Sequence, residues 1–275
     1  MPIRRLLAFF VLGLALFSCG VERRADQAEE ALRAGDLVAA ESGYRWVLER
    51  EGDHLDALYG LGWVYQLDGD PERAREYFKR CIHVAPDDYR GYKGLGSVAM
   101  VRGHLDRAEE YLQQALNKAP DEPTVLNSLA LVRTSSEHCS EAMGLLEKAI
   151  EIDPTRGEYR LNLAECLHRL DRHDEALSAV DEALSLSIEE IRFRGLLLEL
   201  RARILVVMTA GRLDPERCAE TLPPVMAWLD AAERALEQAL ALDVELPTIH
   251  GVRRRVLRQR SRAAETCSPG TLEDR

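Results

Sequence analysis

Cys166, His168 and His173 lie close together in the sequence and are residue types that commonly bind transition metals. Their spacing extends across a helix and the following turn, so we interpret them as ordinary core or surface residues. The chain contains no HExxH motif, no paired CxxC motif and no glycine-rich phosphate loop. The sequence therefore predicts a protein that is not an enzyme, with no catalytic residue, no metal or other cofactor, and no small-molecule substrate.

The chain contains six cysteines, one of them near the N terminus. Cys81 is expected on a buried helical stripe, where it acts as a small core side chain. In an oxidising compartment two pairings stay open for the others, Cys218 with Cys267 and Cys139 with Cys166. Because five cysteines remain besides the N-terminal one, at least one thiol stays outside any disulfide.

A cationic segment near the C terminus has six arginines and no acidic residue between them: Arg253, Arg254, Arg255, Arg258, Arg260 and Arg262. The chain as a whole has 47 acidic and 36 basic residues, a net charge of −11. The segment is expected either to contact anionic lipid headgroups, peptidoglycan or an acidic partner, or to be a solvated helix face. The acidic balance argues against a nucleic-acid groove, which needs clustered cationic side chains.

An apolar run over residues 6–17 follows two arginines and is shorter than the roughly 20 residues of a transmembrane helix. It has the form of the apolar region of a secretory signal. The run ends in Leu16-Phe17-Ser18-Cys19-Gly20, which resembles a bacterial lipobox. The resemblance implies that residues 1–18 are a signal peptide and that Cys19 is acylated, with several acyl chains as a stable membrane anchor.

Phe17 stands where a lipobox usually has a smaller residue, so an ordinary secretory signal cleaved elsewhere and an uncleaved signal anchor stay open. Gly20 stands where an aspartate retains some lipoproteins in the inner membrane. The sequence therefore predicts a lipid-anchored protein of the cell envelope that faces the periplasm, with the outer membrane preferred over the inner membrane.

Three residue types recur through the chain with a period of 34 residues. The recurring positions are Ala40, Ala74, Ala108, Ala142 and Ala176; Pro86, Pro120 and Pro154; and Gly35, Gly69 and Gly103. This pattern resembles the tetratricopeptide repeat, in which each unit is a pair of antiparallel helices. The resemblance covers 21–190 without a gap, and we assign 19–190 to five regular units.

The second unit illustrates why these residue types suit a helical hairpin. Gly62 in the first helix leaves room for the second helix to cross it. Asp70 caps the second helix, and Pro71 suits its first turn. Ala74 permits close approach on the packed stripe, while Phe78 fills the gap between units.

Beyond residue 190 the regular period is broken. The next equivalent of Ala176 is Ala232, so we predict a divergent sixth repeat over 191–247 that carries an inserted loop. Its predicted elements are a helix, a loop that contains Cys218 and Pro223-Pro224, and a second helix, with the helices near 191–210 and 225–243.

A basic capping helix and a loose tail are predicted for 248–275, because a solenoid needs an element that covers the apolar face of its last unit. The helix itself is expected over 248–265. The predicted fold is all-α: a right-handed tetratricopeptide superhelix, or α-solenoid, of about six helix-turn-helix repeats with this helix at its C-terminal end.

The resemblance also implies which residues face the concave groove, since certain positions of each first helix usually do so. The matching residues are Tyr59, Trp63, Gln66, Arg90, Lys93, Ser97, Asn127, Leu131, Glu165 and His168. The aromatic pair beside Arg90 and Lys93 predicts a bed for an extended or helical peptide with an acidic or carboxylate group. In the alternative interpretation, Trp63 only packs on its neighbour and the two basic side chains are solvated.

The sequence thus predicts a non-enzymatic protein-interaction scaffold. It is similar to tetratricopeptide lipoproteins of Gram-negative envelopes, among them pilotins of type IV pilus secretins, assembly lipoproteins of tight-adherence pili and adaptors of cell-wall hydrolases. This implies a membrane-tethered protein that binds envelope proteins and assembles a pilus or secretion complex. Two alternatives stay open: an adaptor for peptidoglycan enzymes, and a soluble co-chaperone if Cys19 is not acylated.

Overall fold

The computed structural model describes residues 20–186 and 191–267, which form helices joined by short turns. The helices are α1 (20–33), α2 (Leu37–Leu48), α3 (Leu55–Leu67), α4 (Pro71–Val84), α5 (Tyr89–Val101), α6 (Leu105–Lys118), α7 (Pro123–Ser135), α8 (Cys139–Ile152), α9 (Gly157–Arg169), α10 (His173–Ser185), α11 (Ile191–Met208), α12 (Cys218–Leu240) and α13 (Ile249–Thr266). None of these helices is long and apolar enough to cross a membrane. The predicted signal peptide over 1–18, the acylation site at Cys19 and the tail from 268 onwards lie outside the described residues.

The helices repeat with the predicted period. The first helices α3, α5, α7 and α9 begin at Leu55, Tyr89, Pro123 and Gly157, and the second helices that follow them keep the same spacing of 34 residues. The predicted all-α architecture of repeated helix-turn-helix units is therefore confirmed.

The turn between α3 and α4 shows how local sequence sets a helix boundary. Gly69 has φ +82°, a left-handed conformation that glycine adopts without steric cost. The Asp70 carboxylate accepts a hydrogen bond from the backbone N–H of Arg73 at 3.1 Å, and Pro71 is the first residue of α4. This turn directs α4 back against α3, as predicted.

Phe78 of α4 fills the space between two successive first helices. A Cβ added at Gly62 of α3 would lie 2.4 Å from the Phe78 ring, and one added at Gly94 of α5 would lie 2.2 Å from it. The ring itself is fully buried. Glycine is therefore required on both sides of the aromatic side chain, and the predicted role of Phe78 is confirmed.

The chain forms two compact units, one that ends at Ser136 and one that begins at Glu137. In the first unit α1 packs on α2, α3 on α4 and α5 on α6, and α7 packs on α6. In the second unit α8 packs on α9, α9 on α10 and α11 on α12, and α13 packs on both α11 and α12.

A disulfide bond joins Cys218 at the start of α12 to Cys267 just after α13, and this predicted pairing is confirmed. The other pairing is wrong, because Cys139 and Cys166 form no disulfide with any described residue. Both side chains are buried, where each acts as a small apolar residue of the core. Cys81 is buried on the packed stripe of α4, as predicted.

The predicted loop around the two prolines of the sixth repeat is wrong. Helix α12 begins at Cys218 and contains Pro223 and Pro224, so the connection after α11 is shorter than expected. Each proline lacks the N–H of one helical hydrogen bond. The helix nevertheless continues through them because Val225 and Leu229 are buried in the core, and because the disulfide fixes its first residue.

Candidate functional site

The structure distributes the predicted groove residues over four first helices. In the first unit, α3 carries Tyr59, Trp63 and Gln66, α5 carries Arg90, Lys93 and Ser97, and α7 carries Asn127 and Leu131; in the second unit, α9 carries Glu165 and His168. The α3 and α5 residues lie together, since Gln66 Nε2 donates to Ser97 Oγ at 2.6 Å. Asn127 is buried, with only 4% of its surface exposed, and so offers little contact area to a partner.

Three aromatic side chains form a cluster on the groove side of α3. Tyr59 and Trp63 meet edge to face with ring centroids 6.0 Å apart. Phe78 lies beneath them, 5.8 Å from Tyr59 and 5.7 Å from Trp63. Burial raises the pKa of Tyr59 well above its ordinary value, so its hydroxyl stays protonated at physiological pH. Trp63 therefore does pack on a neighbour, but it also remains partly exposed at the groove surface.

Arg90 is held in place by carboxylates. Its Nε and Nη2 donate to Asp88 at 3.0 and 2.9 Å, and its Nη1 donates to Asp56. Burial by itself would raise the pKa of Asp88, but the hydrogen bonds and charge of Arg90 lower it below its usual range. The guanidinium also lies 5.9 Å from the centre of the Tyr59 ring.

Lys93 is likewise part of a network. Its Nζ donates to Thr124 Oγ1 at 2.8 Å and lies 5.9 Å from the Trp63 ring. The two basic side chains are therefore not simply solvated. An acidic group of a partner would have to share Arg90 with Asp88 and Asp56, which lowers the attraction that the basic pair can supply.

A cavity of about 340 Å³ opens between α1, α3 and the start of α5. Its lining is apolar and aromatic at the base and charged at the rim: Ala25, Asp26, Glu29, Leu32, Arg33, Tyr44, Asp56, Tyr59, Gly60, Trp63 and Arg90. Gly60 is needed here, since an added Cβ would lie 2.2 Å from the Tyr44 ring. The cavity has the size and lining suited to one bulky side chain of a bound peptide.

The sequence prediction missed the α1 side of this cavity, although the repeat itself contains the signal. Counting back 34 residues from Tyr59, Trp63, Gln66 and Arg90 gives four cavity-lining residues: Ala25, Glu29, Leu32 and Asp56. The groove prediction began at the second unit and so omitted the first helix of the first unit.

The groove residues of the second unit form a separate network. Glu165 accepts hydrogen bonds from the Arg203 guanidinium at 3.2 and 3.3 Å. The Nδ1 atoms of His168 and His173 lie 3.3 Å apart, and burial and the nearby charge of Arg203 lower the pKa of His168. No group of three or more histidine, cysteine or acidic residues suited to a metal occurs in the described part of the chain.

The predicted basic patch lies on α13. Arg260 is bound by Asp230 and by Glu233, whose carboxylate lies 2.6 Å from Arg260 Nη1. The remaining five arginines are exposed: Arg253, Arg254, Arg255, Arg258 and Arg262.

Stacked helical hairpins whose first helices line a groove define a helical-repeat binding protein. Family models described as tetratricopeptide repeat match residues 25–88, 65–132 and 136–197, which together make up more than half of the chain. The chain therefore belongs to the tetratricopeptide repeat family. This family is a non-enzymatic fold that generally serves as a protein-interaction scaffold.

Solved structures of tetratricopeptide proteins share this fold. TTC0263 from Thermus thermophilus is 21% identical with a TM-score of 0.61, and the match covers 66% of this chain and 98% of that one. PilF from Pseudomonas aeruginosa is 18% identical with a TM-score of 0.59, over 78% of this chain and 90% of that one. A chain of the APC/C hetero-tetramer Cut9-Hcn1 is 16% identical with a TM-score of 0.70, over 86% and 43% respectively. No curated protein matches the chain in sequence.

Proposed function

We propose that this protein is a membrane-tethered scaffold of the cell envelope that holds a segment of a partner protein in the groove of its first unit. Through that contact it recruits or assembles an envelope machine, a pilus or secretion complex. The bound segment places an apolar side chain in the cavity between α1 and α3 and flanking polar groups against the charged rim.

The observation that carries this proposal is the cavity beside Tyr59 and Trp63. Aromatic side chains that remain partly exposed in a concave site provide large contact areas at a low entropy cost. Their positions are fixed in advance by Phe78 beneath them and by the Arg90 network beside them. A preformed pocket of this kind binds a side chain without first rearranging.

Two independent features support a location in the envelope. The lipobox-like sequence that ends at Cys19 favours export and acylation. The disulfide between Cys218 and Cys267 is typical of proteins that fold in an oxidising compartment and is rare in the cytosol. The disulfide argues against the cytoplasmic form of the co-chaperone alternative.

The proposal is tested by affinity capture from native membranes, with bound proteins identified by mass spectrometry. The groove variant combines Trp63→Ala with Lys93→Ala. The matched control combines Trp46→Ala with Lys79→Ala, which removes the same side-chain types at positions that do not line the cavity. We expect the groove variant to lose at least about tenfold in partner recovery, since interface anchors contribute more than 1 kcal/mol each, and the control to retain it.

The identity of the captured proteins separates the remaining functions. Secretin or pilus subunits that depend on the groove support the assembly function. Peptidoglycan hydrolases that depend on it identify an adaptor for cell-wall enzymes. Equal recovery by the groove variant and its control contradicts binding at this site.

A further inference from the structure

Helix α13 has two chemically distinct faces. Ile249, Val252, Val256 and Ala263 are buried against the second unit. The opposite side carries what we call the arginine face, five exposed side chains that form no ion pair within the described residues: Arg253, Arg254, Arg255, Arg258 and Arg262. The buried face fixes the helix, so that the arginine face points permanently towards solvent.

This arrangement is unfavourable for the isolated protein. Arg254, Arg258 and Arg262 follow one another at intervals of four residues, so their charges repel each other along one side of the helix. Elsewhere in the same unit, arginines such as Arg201 and Arg203 are bound by carboxylates. An acidic chain with a net charge of −11 has many carboxylates, yet none in the described residues neutralises this face. An external anion would relieve the repulsion.

We propose that the arginine face binds the phosphate groups of an anionic phospholipid bilayer. Three of its arginines extend over about 12 Å of a straight helix, a spacing that reaches several headgroups at once. Guanidinium groups bind phosphate through paired hydrogen bonds. Each cationic side chain near an anionic membrane surface adds to the attraction, so five of them give substantial binding without insertion of the helix.

One apolar residue favours a lipid surface over other polyanions. Leu257 is 48% exposed and follows Arg253 by one helical turn and precedes Arg258 directly. An exposed leucine among arginines suits the boundary between headgroups and acyl chains, where both parts of the patch are satisfied. Single-stranded nucleic acid is instead bound by aromatic side chains for base stacking, and the exposed face of α13 contains no aromatic residue.

The test is co-sedimentation of the full chain with vesicles of phosphatidylcholine alone or with about 30% phosphatidylglycerol. Residues 6–17 are apolar and contribute similarly with both vesicle types, so the measured quantity is the extra binding to anionic vesicles. The test variant combines Arg254→Gln, Arg258→Gln and Arg262→Gln. The matched control combines Arg23→Gln, Arg107→Gln and Arg234→Gln, which removes the same charge from exposed helix positions that also form no ion pair among the described residues.

We expect extra anionic binding by the wild type that falls as salt is raised, and a loss of about one-hundredfold in the test variant. The control is expected to lose much less. Arg→Lys substitutions at the three test positions retain most of the binding, because the attraction comes mainly from charge. Leu257→Gln is expected to weaken it modestly without changing its dependence on salt.

Equal binding of the test variant and the control would overturn the proposal, as would equal wild-type binding to neutral and anionic vesicles. Binding that moves instead to isolated peptidoglycan or to an acidic protein, with vesicles unaffected by the test variant, also overturns it. The substitutions are on the exposed face and should leave the melting temperature unchanged or slightly raised. The proposal does not rest on the groove, so partner capture by the test variant distinguishes its failure from failure of the proposed function.

Discussion

At the level of single residues, the electrostatics of the groove depend on how Arg90 is bound. Asp88 caps α5 by accepting the backbone N–H of Arg90 at 2.8 Å, and it also binds the Arg90 side chain. Asp56, one repeat earlier, binds the same guanidinium from α3. This pairing fixes Arg90 next to Tyr59 and gives the rim of the cavity a mixed charge rather than a cationic one.

Asp88→Asn tests this ion pair separately from the helix cap, because asparagine can still accept the backbone hydrogen bond. We expect a loss of roughly 1–2 kcal/mol in the free energy of unfolding at pH 7. The folded pKa of Asp88 lies below its unfolded value of about 3.9, so the stabilisation is complete above that value and is lost as pH falls through the folded pKa.

Thermal unfolding of both proteins from pH 7 to pH 3 measures this difference. The melting temperatures should converge at the acidic end. The control is Asp87→Asn, since Asp87 is fully exposed and its ion pair with Lys118 stabilises little. A constant difference between Asp88→Asn and wild type across the whole range would contradict the role assigned to the Asp88 charge.

The candidate site was predictable from sequence only in part. The 34-residue period locates Tyr59 and Trp63 correctly on a first helix, because groove-facing positions recur with the repeat. It does not reveal that Arg90 and Lys93 are bound by Asp88 and Thr124, since such contacts depend on side-chain conformations. The mixed charge of the rim therefore came from the structure alone.

At the level of helices, close packing around Phe78 determines how α3, α4 and α5 pack together. Gly94→Ala should destabilise the protein by about 1–3 kcal/mol, because the new Cβ would overlap a ring that has no space to move. Gly144→Ala in α8 is the control. Nothing lies within 4 Å of its added Cβ, and we expect a gain of up to about 1 kcal/mol from helix propensity.

Chemical denaturation of the two glycine variants measures both effects. The opposite signs are the informative result, because both substitutions add one methyl group to a helix. A Gly94→Ala protein as stable as wild type would show that α5 can move away from Phe78, contrary to the packing described above.

The disulfide between α12 and α13 holds the arginine-bearing helix at its C-terminal end. Replacing Cys218 and Cys267 together by serine should lower the free energy of unfolding by roughly 2–4 kcal/mol, as expected for a bond that closes a long loop. Melting is measured with and without reductant. The variant and the wild type should melt alike in reductant, and a difference that persists there would assign the loss to packing of the two side chains.

Helix positions were predicted from sequence more accurately than connections. Gly69, Asp70 and Pro71 give the start of α4 because each acts locally, through φ, a cap and a missing N–H. Pro223 and Pro224 predicted a loop by the same local reasoning. There the burial of Val225 and later residues outweighs the local preference, and this long-range packing is not visible in a single sequence.

At the level of the whole molecule, the proposed function requires attachment to a membrane. Metabolic labelling with a palmitate analogue should label the wild-type protein and should fail to label Cys19→Ala. The Cys81→Ala variant is a suitable control, since Cys81 is buried within the fold. Unlabelled wild type, or equal labelling of Cys19→Ala, would leave export without a lipid anchor as the remaining interpretation.

The central claim is that the groove of the first unit holds a segment of a partner protein. Site-specific photo-crosslinking in native membranes tests it most directly, with a photoreactive phenylalanine analogue placed at Tyr59 in the cavity or at Tyr111 on α6, outside it. The account predicts a crosslinked envelope protein from position 59 and none from position 111. Absence of an adduct at 59, or the same adduct from both positions, would contradict it.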